Sequence, residues 1–317
     1  MSHINLKSAF LFPGQGAQYV GMGKDFVRDF SSARLLLEEA DDLLNQSFSS
    51  IILNGPENTL TETKNSQVAI YLTSLLILTV VQELTGLQPY ICAGLSLGEY
   101  TALTASKKLS FASTLRLVKH RAQFMNEACQ KTKGTMAVVM GLEAEEVEKI
   151  TKKISLPHDL WIANFNCPGQ VVLSGTLKGI EIGTIQMKEH GAKRVIPLQV
   201  SGAFHSGLMQ NASDKLAPYI LEAPLTAGNA QLVMNVSGDI VTDNENIKKN
   251  LIKQVSHSVC WEQGIRTIDK QGIDIFIEFG PGKTLSGMNK KIGVRASTIS
   301  FEKVEDLSQL SRLDNKE

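Results

Sequence analysis

Cysteine is scarce and scattered in this chain: Cys92, Cys129, Cys167 and Cys260 lie far apart and form no C-x-x-C pair. That spacing argues against a local zinc site, offers no disulfide framework, and points to a reducing cytoplasm. Net charge is missing as well. Lys plus Arg and Asp plus Glu both number 32, so no global field draws nucleic acid or an anionic membrane, and a charged partner must be held by a local patch. The N-terminal stretch MSHINLKSAFLFPGQG has no apolar leader after a basic start, so an export signal is not expected. A strongly apolar run, residues 68–81 (VAIYLTSLLILTVV), stops short of the ~18 residues a membrane-spanning helix needs. Bracketed by Gln67 and Gln82, it reads as a helix buried in a core. Internal repeats, low-complexity tracts, and metal, nucleotide-redox or PLP motifs are also lacking.

What remains is ordinary globular material. With 317 residues, 43% hydrophobic and 20% charged, the chain can bury one large core, or a large and a small one. Over the first 130 or so residues short apolar runs alternate with helical patterns: AFLFP, a helix from about residue 17, a second through SARLLLEEADDLL, the apolar helix, then PYICAGLS and another helix. This order predicts an α/β fold with a parallel sheet and helices on both faces. Residues 134–198 instead read strand, helix, strand, strand, helix, strand, the ferredoxin-like order, which predicts a small inserted subdomain. The α/β pattern then returns, so the large subdomain is expected from 1–133 and 199–317, ending in a polar, frayed tail from SQLSRLDNKE.

The stretch most suggestive of chemistry is AGLSLGEYTAL. Glycines two before and two after Ser96 allow a sharp strand-to-helix turn that leaves the hydroxyl uncrowded, in the G-x-S-x-G pattern of a nucleophile turn. The backbone N–H of Leu97, opening the next helix, points where an oxyanion forms. A serine nucleophile needs a base. Among His3, His120, His158, His190, His205 and His257, His205 stands out, flanked by small residues just after an apolar segment. Taken alone, Ser96 fits a catalytic serine or a glycine-rich corner, and His205 a base or a satisfied core histidine.

Seven motifs taken together resemble one family. FPGQGAQYVGMG, GLSLGEYTAL, RLVKHRAQFMNEAC, ANFNCPGQVVLSG, VSGAFHSGLM, LIKQVSHSVCW and IEFGPGKTLSGM follow the order seen in malonyl-CoA:acyl carrier protein transacylases, over about residues 9–291. The resemblance implies an α/β-hydrolase-like large subdomain, Ser96 as nucleophile and His205 as general base. It also implies that a backbone carbonyl, that of Gln254, orients the histidine in place of an acid, fixing its tautomer without adding charge. Gln15 matches the residue whose N–H completes the oxyanion hole with that of Leu97. Arg121 matches the arginine that grips the free malonyl carboxylate, which an acetyl group would lack. Gln67 and Asn164 match polar positions lining the cleft, one from each subdomain. The implied substrates are malonyl-CoA and holo acyl carrier protein, with no bound cofactor, metal, nucleic acid or membrane, in a monomer. Because such carriers are acidic, Lys193, Arg194, Lys290 and Lys291 are the expected docking cations.

Three positions depart from the family pattern. Leu95 replaces a common histidine that is not the base, Val68 a common proline, and Ser258 the proline of an NPVxW-like stretch; the last two read as loop or helix-start adjustments. An acyltransferase-like hydrolase that strips acyl groups from carriers is the alternative. Arg121 favours transfer over that reading, and Arg121 with the inserted subdomain over a generic esterase, while the full set of site residues disfavours a silent scaffold.

Overall fold

The computed structural model describes residues 6–314; residues 1–5, which include His3, and the last three of the tail lie outside the described residues. Among the described residues, the strands are β1 (Ser8–Phe12), β2 (Ile91–Gly94), β3 (Gly134–Met140), β4 (Leu160–Cys167), β5 (Gln170–Thr176), β6 (Arg194–Pro197), β7 (Gln231–Met234), β8 (Asp239–Ile240), β9 (Ile275–Phe279) and β10 (Ser297–Phe301). They form a six-stranded sheet, β10-β9-β1-β2-β7-β8, and a four-stranded sheet, β4-β5-β3-β6. The larger sheet is parallel apart from the short β7–β8 pair. In the smaller one every neighbouring pair is antiparallel. The fold is thus α/β with two subdomains, and the small sheet has the strand order of the ferredoxin-like arrangement.

The burial patterns follow from the sheet types. β1 (SAFLF) and β9 (IFIEF) are buried along their whole length, as parallel strands covered on both faces must be. β3 and β6 mix buried and accessible positions because helices Ala144–Ile154 and Leu177–Glu189 pack together with this sheet and leave part of it uncovered. One core, around Phe10, Leu76 and Phe279, extends to Met136, Ala163 and Val172 of the small sheet, which has a second core of its own around Val139, Val147 and Leu173.

The apolar run lies inside a longer helix than its composition suggested. Helix Thr63–Thr85 has 23 residues and could cross a membrane by length and composition alone, yet 72% of its most apolar window is buried inside the protein. It packs against helices Ser31–Leu44 and Phe111–Lys131. Its polar first turns, including Asn65, Ser66 and Gln67, are buried too. Val68 is therefore a buried position in the second turn of the helix, neither a loop nor a helix-start adjustment. Other boundaries also move. The first helix starts at Lys24, not near residue 17, because Gly21 and Gly23 take positive φ. The C-terminal segment is held rather than frayed: Val304–Leu310 and Ser311–Asp314 are helical, Leu313 is buried, and Asp25 accepts from the Val304 N–H.

Candidate functional site

Ser96 sits between β2 and helix Gly98–Ala105, in the left-handed region at φ 52°. The flanking glycines do not carry the turn by positive φ. They are needed because backbones collide: a Cβ on Gly94 would lie 1.9 Å from the Gly98 carbonyl carbon, and one on Gly98 would lie 2.1 Å from the Phe12 carbonyl oxygen. Close approach thus forces the strain onto the serine. Its backbone is pinned at both ends. Ser96 N–H donates to Asn235 Oδ1 at 2.7 Å, and Gln254 Nε2 donates to the Ser96 carbonyl at 2.7 Å.

His205, also at positive φ (57°), is 4% exposed and brings Nε2 to 2.8 Å from Ser96 Oγ. Its Nδ1 lies 2.8 Å from the backbone oxygen of Gln254. A carbonyl only accepts, so Nδ1 carries the proton and Nε2 is left as an acceptor for the serine hydroxyl. Burial first, then the charge of Arg121, lowers the imidazole pKa to about 4. The ring is therefore neutral near physiological pH, as a base must be before it acts.

Arg121, on helix Phe111–Lys131, is 1% exposed and donates from Nη2 to Ser96 Oγ at 3.0 Å and to Gln254 Oε1 at 2.9 Å. Nη1 donates to Gln67 Oε1, and the ring of Tyr100 lies 5.4 Å from the guanidinium carbon. Among the described residues Arg121 has no ion pair, and its buried Nε has no partner. A buried cation satisfied only by neutral oxygens is built to receive an anion. Ser96 Oγ accordingly accepts from the arginine and donates to the histidine.

A cavity of about 270 Å³ opens over this pair. Gln15, Ser96 and His205 line one side, and Met136, Val138, Val172 and Leu198 with Asn164 and Asn166 the other. Gln67 is a correction: it is fully buried beneath the cavity rather than on its surface, with Nε2 donating to the rim residues Gln15 (Oε1, 3.4 Å) and Met125 (Sδ, 3.5 Å) and Oε1 accepting from Arg121, which also lies beneath the surface. Gln15 reaches the rim because the Gly14 backbone packs on the Leu95 carbonyl, where a Cβ would sit at 2.5 Å. Among the described residues neither the Gln15 nor the Leu97 backbone N–H is engaged by an intramolecular acceptor. Leu95 joins the apolar cluster of Val259 and Trp261 and also faces the cavity. Ser258 donates to the Ile162 carbonyl at 2.5 Å beside the Asn164–Val259 bridge, which ties the segment after Gln254 to the small sheet and leaves the Gln254 carbonyl on His205.

The four basic positions are exposed. Register aligns Arg194, Met140, Gln170 and Cys167 across one end of the small sheet. Lys193 lies just outside one side, and the field of Lys291 reaches Cys167 at the other.

Two residues escaped the sequence reading. Glu99 is completely buried; its Oε1 accepts from Asn235 N–H at 2.6 Å and its Oε2 from Gln254 Nε2 at 2.8 Å. Burial raises its pKa to about 7 against the pull of these bonds and of Arg121. A Glu three residues after the serine, inside the GLSLGEYTAL motif, was the visible signal, and it was passed over. Asn235 lay in a strand-like run (QLVMNVSG); β7 stops at Met234, and the asparagine turns to bond Ser96 and the Gly94 carbonyl.

Comparison with known proteins agrees with this geometry. Residues 9–304 match the acyl transferase domain family. The chain is 43% identical over 302 residues to a malonyl CoA-acyl carrier protein transacylase of Bacillus subtilis (strain 168), covering 95% of each chain. An acyl carrier protein S-malonyltransferase from Vibrio cholerae superposes with a TM-score of 0.91 at 35% identity, covering 96% of this chain and 99% of that one. A malonyl-transacylase solved in complex with a holo type II PKS acyl-carrier protein gives 0.93 at 34%, covering 98% and 100%.

Proposed function

Because this chain belongs to the acyl transferase family, and within it to the malonyl CoA-acyl carrier protein transacylases, we infer that it moves malonyl from malonyl-CoA to the phosphopantetheine thiol of acyl carrier protein, supplying extender units for fatty acid synthesis. The observation that carries the reading is a single hydroxyl, Ser96 Oγ, held between a neutral imidazole at 2.8 Å and an unpaired buried guanidinium at 3.0 Å. The first makes it a nucleophile; the second selects an acyl group that ends in a carboxylate.

In the first half-reaction His205 Nε2 takes the Ser96 proton as Oγ bonds to the thioester carbon. The N–H groups of Gln15 and Leu97 hold the resulting oxyanion. Collapse breaks the carbon–sulfur bond, and the CoA sulfur leaves with the proton that His205 Nε2 had taken, giving a malonyl-serine ester. The carrier thiol then attacks that ester by the reverse path. The malonyl carboxylate sits on Arg121, which exchanges a neutral oxygen for an anion. Lys193, Arg194, Lys290 and Lys291 are proposed as docking cations, supported by the exposure of all four and by the position of Arg194 at one end of the small sheet. Free thiols at all four cysteines accord with a reducing cytoplasm.

The test is the intact mass of the protein after brief exposure to malonyl-CoA and again after holo acyl carrier protein. The expected result is a malonyl adduct, absent in Ser96→Ala, that moves to the carrier. Reversing the charge at Lys193 or Lys291 should slow only the second step. An adduct that decays to free malonate at the same rate with or without carrier would instead identify a hydrolase.

A further inference from the structure

We propose that Glu99 is a positioning residue that holds Ser96, His205 and Arg121 in register through Gln254 and Asn235, and that supplies from one side chain away the negative charge absent from the third place of the triad. The proposal rests on the assignment of Ser96 and His205 as nucleophile and base made above.

The hydrogen bonds close on Glu99 from both directions. The two groups that pin the strained Ser96 backbone are Asn235 Oδ1 on its N–H and Gln254 Nε2 on its carbonyl. The same two residues donate to the two oxygens of Glu99: Asn235 through its backbone N–H, Gln254 through Nε2. Nε2 of Gln254 thus spends its two hydrogens on Ser96 O and Glu99, which leaves Oε1 facing Arg121 Nη2 and the backbone oxygen facing His205 Nδ1. One glutamine therefore touches nucleophile, base and substrate arginine, and Glu99 dictates which way its amide points. An ionised carboxylate accepts only, so it cannot tolerate the flipped amide.

The charge has a separate consequence. Transfer of the serine proton makes His205 cationic next to Arg121, with only a neutral carbonyl on its far side. Between the two cations and Glu99 stands the polarisable Gln254 amide, and the carboxylate offsets the second positive charge as it forms. A buried carboxylate with no ion-pair partner among the described residues is costly where it stands, which fits a group kept for the reaction rather than for the fold.

Glu99→Gln tests both parts. A carboxamide brings one acceptor to a place where two donors arrive, so either the Asn235 N–H loses its partner or Gln254 flips and turns its NH₂ toward Arg121. Glu99→Asp keeps the charge and withdraws the oxygens. Formation of the malonyl ester is followed by rapid quench and intact mass at saturating malonyl-CoA, above the pKa of Glu99, with circular dichroism on each variant. In Glu99→Gln the burst keeps its full amplitude while its rate falls roughly ten- to a hundredfold, the worth of a hydrogen bond to a charged group; Glu99→Asp recovers part of the loss. An unchanged rate, or a smaller amplitude at unchanged rate, overturns the proposal, the latter because it marks a residue that only supports folding. Should Glu99→Gln not fold, the same two criteria are applied to Glu99→Asp, whose rate is expected below wild type at full amplitude. No ester in the wild-type chain overturns the functional reading itself, whereas a wild-type burst matched in rate by the folded variant overturns this proposal alone.

Discussion

The two walls of the cavity handle polar groups in opposite ways. On the large-subdomain side the wall residues Ser96 and His205 are backed by Gln67, Glu99, Arg121 and Gln254, which are all at most 1% exposed and bond to one another in one network. On the small-sheet side Met136, Val138, Val172 and Leu198 form an apolar surface broken by Asn164 and Asn166. Buried polar networks are exacting, since a single missing partner leaves a desolvated group behind. An apolar wall tolerates exchange so long as volume is kept. The chemistry therefore sits where geometry is over-determined, and the shape of the acyl pocket sits where it can vary.

Removing the cation from the network gives the largest expected change. Arg121→Ala should lower malonyl ester formation by about a hundredfold or more while leaving acylation by acetyl-CoA nearly unchanged, because only malonyl offers a carboxylate to pair with it. Competition between the two thioesters, read by mass, checks this; equal losses for both would mean that Arg121 serves only to hold Ser96.

A pH profile divides the polar wall further. Glu99, raised to about 7, takes up a proton as pH falls through that value, and His205, lowered to about 4, takes one only far below. Ester formation should thus drop in two stages, by roughly tenfold near the first and completely near the second, with the first stage missing in Glu99→Gln. Stability moves the other way for the acid. A carboxyl whose folded pKa is raised favours the fold most below its unfolded value of 4.5 and has lost that contribution once pH has risen through about 7, so the melting temperature of Glu99→Gln should gain on wild type between those two values and level off above them. A difference independent of pH would place the ionisation elsewhere.

The smallest effect on rate belongs to the small subdomain's own core. Val147→Ala, on helix Ala144–Ile154 and fully buried beside Leu160 and Leu173, should cost roughly 1–2 kcal/mol of stability with ester formation changed less than about twofold. Urea unfolding paired with the burst assay checks it; a large rate loss would show that the two walls are coupled.

Much of this was legible from one sequence. The apolar run AFLFP marked β1, since a parallel strand buried on both faces leaves no polar side to show. The split strand-helix order of residues 134–198 marked the small sheet. Ser96 and His205 were visible as a glycine-flanked turn and a histidine among small residues, and the family resemblance supplied Arg121 and the Gln254 carbonyl. Gln67 was found but misplaced, because its motif says that it belongs to the site and nothing about whether it reaches the cavity surface or lies beneath it. Glu99 and Asn235 were passed over, because neither carries a local pattern that marks it for chemistry.

The amino-acid sequence by itself determined local matters: which segments bury both faces, where the chain must turn, and which reactive side chains lie on those turns. These follow from periodicity and from the sterics of glycine. Tertiary structure alone decided that the Glu99 carboxylate, one helical turn past the nucleophile, meets an amide from residue 254 and a backbone N–H from residue 235. Such bonds join groups more than a hundred residues apart, and no local pattern records them, because their energy exists only when the fold has removed water from all the partners at once.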